Sequence, residues 1–195
     1  ESSISEQGAM TPELSAALSA AKTLAEVEDI YRPFKPKRKT RASIARARGL
    51  QPLADALLAQ RADFDPEQEA AAYCTEEVPD AAAALAGAQD IIAEFISDDA
   101  RCRAELRRYY RAFGQIRSVQ AKKEDSVYAQ YYDYSEPLSK IPGHRVLALD
   151  RGEREGFLKV SIAVDAERAA AIVAWMFARK KTGGASALLV EAAAK

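Results

Sequence analysis

A mainly α-helical bundle with at most a minor two-stranded β element is the fold class that the sequence predicts. Three observations carry it. Helix start and stop signals recur through the N-terminal half, two long segments can bury their apolar residues together only at helical spacing, and period-two alternation is confined to short stretches.

The elements follow in order. Ile4 to Gly8 reads as the end of a helix that began earlier, and the chain starts at Glu1 with no Met, so we read it as a piece of a longer protein. Thr11, Pro12 and Glu13 place an N-cap, a proline at the first helical position and an acid in the first turn. Thr23 and Glu26 have capping-box spacing, and Pro33 must end the helix they open. A short third helix runs from about Thr40 to Arg48 with Gly49 as its stop, and Pro52 and Asp65-Pro66 open the next two. Between Asp80 and Ile96, the residues Leu85, Ala88, Ile92, Phe95 and Ile96 share one helical face. Beyond Arg101, the stripe Cys102, Leu106, Tyr109 and Phe113 advances by steps of 4, 3 and 4 and is expected to be core, with arginines on the remaining surface. In Phe157 to Val164 the apolar residues Leu158, Val160, Ile162 and Val164 alternate with smaller or polar ones, the half-buried strand pattern. Its backbone needs a partner, for which Gln115 to Gln120 is the candidate. The expected organisation is an N-terminal set of helices with a basic loop over residues 1–50 and a central helical region over 51–195, with one continuous domain as the alternative.

The 195 residues carry 28 Lys and Arg against 29 Asp and Glu, for a formal net charge of −1, and 48% are hydrophobic. That composition excludes wholesale disorder and a histone-like basic binder. No apolar run reaches the roughly 20 residues of a membrane span. Two widely spaced cysteines, Cys74 and Cys102, fit a reducing compartment, so the cytoplasm is the expected location.

Catalytic chemistry is sparse. His144 is the sole histidine, there is no CxxC pair, no HExxH and no glycine-rich phosphate loop, and we expect neither enzyme activity nor a metal or cofactor. Charge patterning says more. From Tyr31 to Gly49 there are eight cations and no acid: Arg32, Lys35, Lys37, Arg38, Lys39, Arg41, Arg46 and Arg48. These are the candidate nucleic-acid-binding residues, since clustered cations on a proline-stiffened loop suit phosphates. From Arg61 to Asp99 the chain carries eleven acids and one base, and basic residues dominate again from Arg101 to Lys123. The alternative therefore stays open that the basic run pairs with the acidic block or with another domain.

The run from Tyr31 to Arg46 (YRPFKPKRKTRASIAR) and its continuation from Gly49 to Asp55 closely resemble the Tex family of bacterial transcription accessory proteins, relatives of a eukaryotic transcription elongation factor. Ala84 to Glu94, Asp133 to Arg145, Arg151 to Gly156 and Ser5 to Leu14 resemble the same family, so the likeness covers about Ser5 to Val164. The resemblance implies the N-terminal helical region of a larger protein whose other parts are an RNase H-like domain, helix-hairpin-helix modules and an RNA-binding barrel. It further implies a noncatalytic scaffold that supports binding of RNA or DNA, mainly through the missing domains. Docking on RNA polymerase or another protein is the competing role, and no membrane association is implied. From Trp175 onward the chain departs from the family pattern.

Overall fold

The computed structural model describes residues 2–35, 39–178 and 184–193. Among them are eleven α-helices, α1 (Ser2–Glu6), α2 (Pro12–Ala20), α3 (Leu24–Tyr31), α4 (Arg41–Ala47), α5 (Gln51–Ala59), α6 (Pro66–Ala71), α7 (Ala81–Asp98), α8 (Ala100–Phe113), α9 (Gly143–Arg154), α10 (Ala166–Phe177) and α11 (Gly184–Ala193). Three strands, β1 (Gln115–Gln120), β2 (Asp133–Pro137) and β3 (Leu158–Ala163), form one sheet. No described helix is long and apolar enough to cross a membrane.

The start signals act as their chemistry requires. Thr11 Oγ1 accepts from the Leu14 amide, Thr23 and Glu26 close a reciprocal capping box, and Asp65 and Asp80 cap α6 and α7. Each satisfies amide donors that a helix start leaves without intrahelical partners. Pro33 ends α3, and the chain continues as a 3-10 turn over Arg32–Phe34.

The contacts divide the chain into two units, residues 1–104 with 170–195 and residues 105–169. The boundary expected at residue 50 falls inside the first unit. In that unit α7 is the central helix, with α4, α5, α6 and α11 packed around it. Its Ala84, Ala88, Ile91, Ile92 and Ile96 are buried, together with Leu53, Ala54 and Leu57 of α5. Gly87 permits the close approach, because a Cβ there would lie 2.4 Å from Leu50 Cδ1. Phe95 lies on the predicted face but is 49% exposed, a correction to its expected burial, because it borders a cleft.

In the second unit β1 is the middle strand of an antiparallel sheet, in the order β2-β1-β3. The pairing of 115–120 with β3 is as expected, with Ile116 opposite Ile162 and Gln120 opposite Leu158. The two-stranded expectation is corrected to three strands by β2. That strand contains two acids and ends in Pro137, and its inward positions are Tyr134 and Glu136. A charged inward residue hides the strand pattern, and the proline is tolerated because β2 is an edge. The core of this unit gathers Ile116, Tyr128, Tyr131, Leu149 and Leu158. Buried Ser118 donates to the Tyr131 carbonyl at 2.6 Å. On the outer side of β3, the Val160 amide donates to Glu153 Oε1 of α9 at 2.9 Å.

The division between units falls within α8, between Ala104 and Glu105. Its apolar stripe is accordingly not one buried row. Cys102 is buried, whereas Phe113 packs on Tyr109 at 5.3 Å between ring centroids and is 65% exposed, which corrects the expectation that the whole stripe is core.

Candidate nucleic-acid interface

Thr40 opens α4 by accepting from the Ser43 amide, and it turns its own hydroxyl to Glu94 Oε1 of α7 at 3.0 Å. This places the second half of the basic stretch alongside one face of α7. Asp90, Glu94 and Asp98 recur every four residues and so share that face. Arg41 reaches Asp90 at 3.2 Å, Arg46 reaches Glu94 at 2.5 Å, and Arg32 reaches Asp98 at 3.0 Å. Arg48 pairs with Glu77 at 3.4 Å. Buried Asp29 of α3 accepts from Arg103 of α8 at 2.5 Å.

The eight candidate cations therefore separate. Arg32, Arg41, Arg46 and Arg48 are each engaged by an acid, while Lys35 and Lys39 are exposed and make no ion pair among the described residues. Lys37 and Arg38 lie outside the described residues. Sequence reasoning saw the acidic block but not the three acids that meet the arginines. Their spacing of four along one helix was the available signal.

Beside this charged row is a cleft of about 620 Å³ whose walls include Leu14, Ile30, Phe34 and Phe95, with Lys35 and Arg46 at its border. Phe95 meets Phe177 edge to face at 6.1 Å.

His144 is exposed in the first turn of α9. Its neighbour Glu136 accepts on Oε2 from the Tyr134 hydroxyl and from Arg145 Nη1, the latter at 2.9 Å. Among the described residues no group of three or more His, Cys, Asp or Glu is placed to hold a metal ion. Cys74 is exposed and Cys102 buried, both free; burial above all raises the Cys102 thiol pKa, leaving it protonated and unreactive at neutral pH.

The Tyr134 hydroxyl, and after it Arg145, hold the Glu136 carboxyl below the ordinary value of 4.5. Burial and the adjacent carboxylate raise Tyr134. Since the folded pKa of Glu136 is the lower one, its stabilisation is complete above pH 4.5 and is lost as pH falls through the depressed value. Thermal unfolding of wild type and Glu136→Gln between neutral pH and about pH 3 should show the wild-type advantage shrinking at the acid end. An advantage that is constant with pH would contradict the assignment.

Comparison with known proteins shows what the sequence is similar to. Residues 61–192 match a family model described as Tex central region-like. The chain is 44% identical over 170 residues to Protein tex of Bordetella pertussis, covering 85% of this chain and 21% of that protein. It is 43% identical over 168 residues to Protein YhgF of Escherichia coli, covering 84% and 22%. To the Transcriptional accessory protein Tex of Neisseria gonorrhoeae it is 42% identical over 163 residues, covering 82% and 21%. The chain thus spans about a fifth of the length of these relatives.

Proposed function

The chain belongs to the Tex family, and from that premise we propose that it is a noncatalytic helical scaffold of a transcription accessory factor, contacting nucleic acid through the exposed lysines of its basic loop. The supporting observation is the division of labour among the cations. Arg32 and Arg46 are held by largely buried acids of α7, and Arg41 and Arg48 make more exposed pairs, while Lys35 and Lys39 point charge into solvent and make no ion pair among the described residues. Lysines on a loop supply charge without a groove-reading element, so the contacts are to phosphate and indifferent to sequence. The cytoplasm is the compartment this reading implies.

Mobility shifts of the Lys35→Ala/Lys39→Ala double variant across a salt series test it. On duplex DNA each lost phosphate contact lowers the slope of log affinity against log salt by about 0.9, so the double variant should bind more weakly with a slope flatter by up to about 1.8. Both residues are exposed, so folding is retained. An unchanged slope and affinity would remove them from the interface. The cleft walled by Phe34 and Phe95 supports a second reading, docking on RNA polymerase or another protein. Under that reading the double variant keeps its nucleic-acid affinity, and Phe95→Ala abolishes capture of the protein partner.

A further inference from the structure

We propose that the C-terminal half of α8, centred on Tyr110, Arg111 and Phe113, is a stacking surface for single-stranded nucleic acid, distinct from the basic loop. From Leu106 to Lys123 the chain contains six cations, Arg107, Arg108, Arg111, Arg117, Lys122 and Lys123, and no acid. The same segment carries three rings, of which the central one, Tyr109, meets both others. Tyr109 is the anchor, its hydroxyl donating to the Asp165 carbonyl at 3.4 Å, and it meets Tyr110 at 6.4 Å and Phe113 at 5.3 Å between centroids. The outer two rings are open to solvent, Tyr110 at 36% and Phe113 at 65% exposure.

Cations of the same segment are available. Arg111 and Arg117 are exposed and make no ion pair among the described residues. Arg108 pairs with Glu105 at 2.7 Å, but both side chains are exposed, and a surface pair of this kind contributes little and yields readily to a phosphate. Asp165 turns its carboxylate to Arg168 at 3.3 Å instead of to the cationic face. This differs from the basic stretch, where Arg32, Arg41 and Arg46 pair with acids of α7.

Exposed rings beside unpaired guanidinium groups ask for a ligand that brings flat apolar faces and repeated negative charge together. A single strand does so: every base presents a π-face, and every linkage a phosphate. A protein would need an apolar surface ringed by acids to match the same features.

Fluorescence anisotropy of the whole chain with an oligothymidylate of about twenty nucleotides, and with an abasic strand of equal length, tests the proposal. Tyr110→Leu/Phe113→Leu should weaken oligothymidylate binding about five-fold or more while leaving the abasic strand nearly unaffected, because only the bases stack. Arg111→Gln should weaken both strands and flatten the salt slope by about 0.7. The Lys35→Ala/Lys39→Ala variant should retain the preference for bases over the abasic strand, so the loop and the helix surface fail separately. Thermal melts monitor folding, and Phe113→Leu alone provides the milder variant if the double one melts early. Absence of wild-type binding at low salt, equal losses on both strands, or unchanged affinity in the leucine variants would overturn the proposal. Polyglutamate displacing the strand at equal charge concentration, with the same dependence on Phe113, would overturn it in favour of an acidic protein.

Discussion

Leu53→Ala should destabilise the chain by about 2 to 5 kcal/mol, the range for removing a fully buried leucine side chain where the surroundings relax only partly. Leu53 has no solvent exposure, and its helix α5 lies against the alanine-rich face of α7. That face has little capacity to fill a void. Ala84 and Ala88 have no longer side chain to swing into the gap, and Gly87 already brings Leu50 to the closest approach the backbone allows. The loss should therefore lie toward the upper part of the range. Urea unfolding monitored by far-UV circular dichroism measures it. A loss below about half a kcal/mol, the usual limit for surface substitutions, would show that α5 does not pack on α7 as described.

Gly152→Val should cost about 1 to 3 kcal/mol or more in the second unit by the opposite physics, overfilling in place of a void. Gly152 lies in α9 where a Cβ would stand 2.7 Å from Leu158 Cδ1 and 3.1 Å from Tyr128 Cδ1. Both neighbours are buried core residues, so neither can swing out into water. Glycine is a poor helix former, and valine recovers a few tenths of a kcal/mol in propensity. The steric cost exceeds that gain. Loss of near-ultraviolet circular dichroism from the surrounding tyrosines at a temperature where wild type retains it is the expected signature, and a variant as stable as wild type would sink the close approach of α9 to β3.

What the sequence made legible was local chemistry. The helix starts at Thr11, Thr23, Thr40, Asp65 and Asp80 are visible because a cap is a bond between residues two or three positions apart. The β1 to β3 pairing was legible because period-two alternation had few places to go. Features that depend on distant neighbours were not. Glu136 is an inward residue of β2 because Arg145, on a different element, meets it. Phe95 has the helical phase of a core residue and is half exposed because its neighbours leave a cleft. Of the candidate site, the basic run was legible as composition, whereas the engagement of Arg32, Arg41 and Arg46 by α7 rests on pairs more than forty residues apart in sequence.

The contact between Glu153 and the Val160 amide has a consequence for how copies of the chain treat one another. A strand at the rim of a sheet is a template, and its unsatisfied amides invite a strand from another molecule to zip on. Here an outward amide of β3 is occupied by a carboxylate from the same chain. An incoming strand would have to displace that carboxylate and endure its charge at close range. The helix that covers the sheet thus also guards its β3 edge against an added strand.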